Sequence, residues 1–170
     1  MAISALVVGL GAIGAGYDYA SEATVFTYCR ALQKHEGFDL LAGIDPSVEA
    51  RDKFTQTYKL SAYADLASFD EANTVDLIVL STPTKCRLID FLAIAELKPK
   101  YIVCEKPIAD KVSDAKKIVA YANENGITLL VNYWRRFETG HVALKKLVDR
   151  GDFGKIVSGT IWYQRGLLNN

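Results

Sequence analysis

The residues of this chain that can do chemistry stand at the ends of short apolar runs. Gly9, Gly11 and Gly14 form the segment Gly-Leu-Gly-Ala-Ile-Gly, with Ala12 and Ile13 between the last two glycines, directly after the run at residues 4–8 and before helical sequence. The first glycine permits a tight turn, the second lets the backbone approach a pyrophosphate, and the third packs a helix closely on a strand, with the helix N-terminus facing the anion. A merely Gly-rich turn is the bland alternative; the strand–turn–helix setting favours phosphate binding. Asp45 ends the segment Leu-Leu-Ala-Gly-Ile-Asp-Pro. A carboxylate there accepts hydrogen bonds from both hydroxyls of an adenosine ribose and repels a phosphate, which favours NAD over NADP, the next arginine being Arg51. An Asp-Pro turn without a ligand is the other reading. Gly14 and Asp45 are 31 residues apart, whereas roughly 20 separate the glycines from the acid in the usual fingerprint. The polar and aromatic stretch 16–24 is therefore expected to be a loop inserted between the phosphate turn and the body of the helix, with Asp18 and Glu22 as solvated charges; a lid over the cofactor is the other reading.

Two further segments end in polar residues followed by proline. Ser81-Thr82-Pro83-Thr84 closes one apolar run, at the strand edge where open α/β sheets bind ligands, so Thr82 is either a cofactor contact or part of a strand-ending turn. Cys104-Glu105-Lys106-Pro107 closes another. A lysine at that edge can set its ammonium beside a nicotinamide and donate to a substrate oxygen on which charge develops; an ordinary surface salt bridge is the alternative. The cluster Tyr133-Trp134-Arg135-Arg136-Phe137 brings two guanidiniums, and Arg135 or Arg136 can bind an anionic part of cofactor or substrate, Arg135 being taken as the candidate. Packing at a domain junction explains that cluster equally well. His35 and His141 have no visible carboxylate or cysteine partner and are assigned no catalytic role, and Cys104 reads as a buried strand residue.

These residues need a scaffold that presents strand ends side by side. Continuous apolar runs at 4–8, 39–44, 75–80, 101–104 and 128–131 have the pattern of strands buried on both faces. Helical spacing occupies 25–34, 48–58, 88–95 and 113–125, the last opening at a capping-type serine and closing at Gly126. The alternation predicts an α/β fold, a doubly wound parallel sheet of the NAD(P)-binding Rossmann kind, over residues 1–133. Residues 134–170 are expected to begin a second, C-terminal α/β domain, incomplete here: a helix at 141–149 stopped by Gly151, then a strand of mixed polarity at 156–164. A lone strand leaves an unpaired edge, which points to a piece of a two-domain protein or to pairing with another copy, hence a candidate homo-oligomer.

In their order along the chain, the glycine segment, Asp45-Pro46, Thr82-Pro83-Thr84, Glu105-Lys106-Pro107, Asn132 to Phe137 and the Gly-Asp-Phe-Gly-Lys-Ile segment from Gly151 resemble the glucose-fructose oxidoreductase, inositol dehydrogenase and MocA-like family. The resemblance covers essentially the whole chain and is most specific at Glu105-Lys106-Pro107. It implies an NAD(P)-dependent oxidoreductase in which Gly9, Gly11 and Gly14 hold the pyrophosphate, Asp45 the ribose, Thr82 and Pro83 the flank of the dinucleotide, and Lys106 the reacting centre, with Glu105 and Lys106 also among the cofactor-binding residues. It also implies a cis bond before Pro107. Two departures stand out: Arg87 occupies a position where the family often has a histidine, and the family's second acid/base group, a histidine aided by an aspartate, lies beyond residue 170. The expected function is hydride transfer between a secondary alcohol of a sugar- or inositol-like polyol and NAD, by this chain or by a longer protein of which it is the cofactor-binding part. A non-catalytic nucleotide-binding module that senses cofactor or binds a partner protein is the second reading. A methyltransferase with a similar turn gives no account of Glu105-Lys106-Pro107.

Composition narrows the field further. Twenty Lys+Arg against twenty Asp+Glu leave a formal charge of zero, without the electrostatic footprint of a nucleic-acid or anionic-membrane partner. Cys29, Cys86 and Cys104 are odd in number and form no close pair, which suits a reducing cytoplasm rather than a disulfide framework or a zinc site. The apolar start carries no basic residue before Arg30 and falls short of the ~20 residues that span a bilayer, so it is read as neither signal nor anchor.

Overall fold

The computed structural model describes residues 2–21, 23–69 and 74–162. They form two compact units, 1–132 and 133–170. The first contains six strands, β1 (Ile3–Val8), β2 (Phe38–Ile44), β3 (Ser61–Tyr63), β4 (Leu77–Leu80), β5 (Tyr101–Glu105) and β6 (Thr128–Asn132), and four helices, α1 (Tyr28–Lys34), α2 (Val48–Tyr58), α3 (Arg87–Ala95) and α4 (Val112–Glu124). All strand pairs are parallel and run in the order β3-β2-β1-β4-β5-β6. This is the doubly wound order, whose direction reverses between β1 and β4.

The continuous apolar runs follow from burial on both faces. Along β1, Ala5 and Val7 enter one core with Leu32, Phe54 and Tyr58, while Leu6 and Val8 enter the other with Phe91, Ile94 and Ile118. Side chains alternate across a strand, so a strand with a helix layer on each face has no wet side to spend on polar residues.

Four sequence expectations change. Strand β3 was not foreseen, because three residues ending in a tyrosine carry too short a pattern to be read. Helix α4 starts at Val112 without a side-chain cap, Ser113 lying inside its first turn rather than opening it. Helix α1 begins at Tyr28, three residues later than expected, because Thr27 caps it by accepting from Arg30 N. Finally, residues 156–162 form no strand, and 163–164 lie outside the described residues. A strand exists only through a ladder with a neighbour, and among the described residues none pairs with this segment, so its apolar side chains, such as Val157 and Ile161, remain exposed. The second unit supplies a single turn at Trp134–Phe137 and helix α5 (Thr139–Asp149). No helix among the described residues is long and apolar enough to cross a membrane.

Candidate functional site

The reversal of strand order sets the ends of β1 and β4 side by side, and the glycine segment leaves β1 at that point. Gly9 turns with φ of +96°, and a Cβ there would stand 2.7 Å from Ser81 C and 2.8 Å from Thr82 N. At Gly14 a Cβ would stand 2.0 Å from Gly9 O, so only glycine lets the turn close on itself. Ser81 Oγ ties the two strand ends, donating to Gly9 O at 2.7 Å. Around Gly11 the space is open, with nothing within 4 Å of a built Cβ. Among the described residues the N–H groups of Gly11, Ala12, Ile13 and Gly14 have no acceptor, whereas Gly9 N donates to Ile44 O and Leu10 N to Asp45 Oδ2, each at 2.8 Å. Four consecutive unpaired amides beside the open space at Gly11 suit an anion such as a pyrophosphate.

Asp45 is part of the same structure. Its Oδ2 accepts from Leu10 N and its Oδ1 from Ser47 N, both at 2.8 Å. Each carboxylate oxygen has two lone pairs, so one acceptor position on each stays available to a ribose hydroxyl. Arg51 Nη1 donates to the carbonyls of Asp45 and Pro46 and so fixes the chain just after β2.

The extra residues after Gly14 are spliced into the first helix. Ala15 N donates to Gly11 O and closes one α-type turn, while Gly16 N on Gly11 O and Tyr17 N on Ala12 O make the wider bonds by which the chain begins to leave. The chain then leaves, and the helix resumes with Tyr28 N on Ile13 O and Cys29 N on Gly14 O. Asp18 fastens the excursion and, contrary to the expectation of a solvated charge, is fully buried. Its carboxylate accepts from Phe26 N, Thr27 N and Thr27 Oγ1, the last at 2.6 Å. Burial pushes this carboxyl up, but the hydrogen bonds from Thr27 and Phe26 and the nearby Arg30 charge outweigh it and hold it below its ordinary value. The loop turns inward because its acid satisfies the free amides at the start of α1. Glu22 lies outside the described residues.

At the end of β5, the peptide bond between Lys106 and Pro107 is cis, as the resemblance implied. Lys106 is exposed, and among the described residues its Nζ takes part in no hydrogen bond or ion pair. Glu105 does not pair with it. Glu105 Oε1 instead accepts from Tyr28 Oη at 2.6 Å and Asn132 Nδ2 at 3.2 Å, and Oε2 from Lys106 N at 3.2 Å. Asn132 Nδ2 also donates to Tyr28 Oη at 2.5 Å. Burial, reinforced by Glu105, pushes the Tyr28 phenol well above its ordinary value, so it remains a donor.

Arg87 holds the same turn from beneath. It is 2% exposed, and its guanidinium donates to Glu105 O, to Pro107 O at 2.9 Å, to Thr82 O at 2.6 Å and to Cys104 Sγ at 3.5 Å. Burial raises the Cys104 thiol and Arg87 opposes the rise; Cys104 is a strand residue facing the core. Thr82 Oγ1 is shielded and has no partner among the described residues, while Pro83 is exposed next to it.

Thus Gly9 to Gly14, Asp45, Thr82, Pro83, Glu105 and Lys106 all stand at the carboxyl ends of parallel strands in the first unit. Tyr28, Asn132 and Asp18 were missed as participants: Tyr28 reads as an ordinary helical residue, and nothing in its spacing marks the partners it finds across the sheet. Arg135 belongs to the second unit, where it stacks over Trp134 at 4.7 Å and lies 3.8 Å from Glu138 Oε1. His141 of that unit does have a carboxylate neighbour, Glu138 Oε2 at 2.7 Å. A cavity of about 500 Å³ between α4 and β6, lined by Ile108, Val119, Ile127 and Leu129 among others, shares no residue with the strand-end site.

The family model for the Gfo/Idh/MocA oxidoreductases, described as an oxidoreductase family with an NAD-binding Rossmann fold, matches residues 3–133. The chain belongs to this family. It is 26% identical over 162 residues to the inositol 2-dehydrogenase of Salmonella typhimurium, which covers 91% of this chain and 44% of that protein. It is 25% identical over 152 residues to the 2,7-anhydro-N-acetylneuraminate hydratase of Escherichia coli, covering 89% of this chain and 38% of that one. The fold matches the scyllo-inositol dehydrogenase of Lactobacillus casei, solved with NAD(H) and scyllo-inositol, with a TM-score of 0.76 at 17% identity, over 91% of this chain and 43% of that one. The chain thus spans about two fifths of the length of the curated relatives it matches.

Proposed function

We propose that residues 1–133 bind NAD in preference to NADP and serve a reaction on a sugar- or inositol-like polyol, residues 134–170 being the beginning of a second domain. The observation that carries this is the cradle: four unpaired amides around the open Gly11, flanked by an Asp45 carboxylate with an acceptor position free on each oxygen. A pyrophosphate and a ribose diol fit that set of groups; a 2′-phosphate beside Asp45 meets like charge. Nicotinamide, when bound, supplies the site for hydride exchange with a secondary alcohol.

The chain's own residues have distinct tasks in this reading. Gly9 and Gly14 let the turn close, and the amides of residues 11–14 are left without an acceptor inside it. Asp45 orients the ribose and excludes the phosphorylated form. Thr82 and Pro83 form the flank. Lys106 holds a proton on Nζ and donates it as a hydrogen bond to the substrate oxygen on which negative charge develops, which lowers the barrier most where water is excluded. Arg135 is a further anion ligand by its chemistry, carried by the second unit. The relatives named inositol dehydrogenases support the polyol class, and the hydratase among them widens the net reactions to be screened.

The test combines dinucleotide titration with a panel of inositols and sugars, scored for NAD reduction and for gain or loss of water. Lys106→Ala is expected to keep NAD affinity within about threefold while removing the turnover seen with the intact lysine, because Nζ acts on substrate rather than on the pyrophosphate. Unchanged turnover in that variant overturns the role of Lys106. Cofactor-dependent association without turnover replaces catalysis with the nucleotide-sensing reading.

A further inference from the structure

Glu105 and Lys106 are neighbours in sequence and carry opposite charges at an exposed strand end, yet they do not pair through their side chains. The reason lies in two residues from elsewhere. Tyr28 Oη and Asn132 Nδ2 both donate to Glu105 Oε1, and Asn132 also donates to Tyr28 Oη, so the three side chains form a closed triangle. Two donors fill the lone pairs of Oε1, and the backbone N–H of Lys106 takes one of the two on Oε2, so the carboxylate is tethered from both oxygens toward Tyr28, Asn132 and the main chain. We infer that Tyr28 and Asn132 are positioning residues that hold the Glu105 carboxylate out of reach of Lys106 Nζ, leaving the ammonium unpaired for substrate. The inference rests on the role of Lys106 proposed above.

The spliced helix explains how Tyr28 arrives there. After the excursion through residues 15–27, Tyr28 N docks on Ile13 O and restores the helical register begun at Gly11. The length of the inserted stretch therefore decides which side chain stands at the first position of α1, and that side chain crosses to the ends of β5 and β6, 77 and 104 residues away. Burial and the bond to Glu105 both favour the protonated phenol, so Tyr28 enters the triangle as a donor. The groups facing the carboxylate are the phenol of Tyr28 on α1, the amide of Asn132 on β6, and the Lys106 backbone; Arg87 on α3 reaches only the Glu105 carbonyl. No cation among them neutralises the Glu105 side chain, so once released it has Lys106 as its nearest sequence neighbour of opposite charge.

The experiment titrates the Lys106 ammonium in the cofactor-free chain by carbon NMR at Cε, assigned with Lys106→Arg. In Tyr28→Phe and in Asn132→Ala, and more so in the double variant, the Lys106 pKa is expected to rise by about half to one unit as Glu105 swings onto Nζ. Glu105→Gln in the double-variant background is expected to cancel the rise. No rise in a single or double variant that melts like the parent overturns the inference, as does a rise that survives Glu105→Gln. NAD titration of the same samples separates the two levels: failure of the parent to bind removes the cofactor reading, while the Lys106 shift is read without cofactor.

Discussion

The phosphate turn at Gly9–Gly14 and the lysine turn at Glu105–Pro107 stand at the same edge of one parallel sheet, but the first is built from backbone and the second from side chains. The phosphate turn is closed by amides, carbonyls and missing Cβ atoms, with Ser81 Oγ and the Asp45 carboxylate as its side-chain ties. The lysine turn is held by Arg87 from α3, Tyr28 from α1 and Asn132 from β6. A site that binds the invariant part of a ligand can be written into local backbone. A turn built from side chains draws its ties from across the fold.

The comparison predicts different failures. Gly14→Ala is the most damaging change, since its Cβ would meet Gly9 O at 2.0 Å and a carbonyl within a closed turn cannot give way. A loss of about 3 kcal/mol or more in denaturant unfolding is expected, together with loss of dinucleotide binding. A loss below about 1 kcal/mol would show that the turn is not held shut as described. Arg87→Met comes next: it strands the carbonyls of Thr82, Glu105 and Pro107 without their donor. About 2 kcal/mol is the expected cost, with NAD affinity reduced less than in Gly14→Ala, because the clamp serves the lysine turn. Equal loss of binding in the two variants would erase the distinction between the turns.

The smallest effect belongs to Asp18→Asn, expected to cost about 1 kcal/mol at neutral pH because the amide cannot accept at both former oxygen positions. Its pH dependence has a fixed sign. The folded carboxyl titrates below its ordinary value of 3.8, so its contribution is complete above that value and is lost as pH falls through the lower folded value. The stability difference between parent and variant, followed from pH 7 downward by roughly four units, should therefore hold steady and then shrink only at the acid end. A difference that fades near neutrality would mean that Asp18 is not held ionised by its hydrogen bonds.

Much of this was legible in sequence for a physical reason. Glycine positions, strand-end acids and apolar runs are local signals, so Gly9, Gly11, Gly14, Asp45 and the five longer strands could be read directly. So could the excess spacing before Asp45, which marked an insertion. The inward turn of Asp18 was not legible, because its partners are backbone amides that become free only when the helix is cut and resumed. Tyr28 and Asn132 were equally silent, since their role exists only where α1, β5 and β6 meet. The strand expected at 156–164 shows the converse: an alternating pattern states a preference, and a ladder needs a neighbour to realise it.

The central claim is that the amides of residues 11–14 and the Asp45 carboxylate form an NAD site. Side-by-side calorimetric titration of the 170-residue chain with NAD and NADP tests it most directly. The account predicts saturable NAD binding at least about tenfold tighter than NADP, with the preference reversed or removed in Asp45→Asn. Tighter binding of NADP, or no binding of either by a chain that unfolds cooperatively, would contradict it.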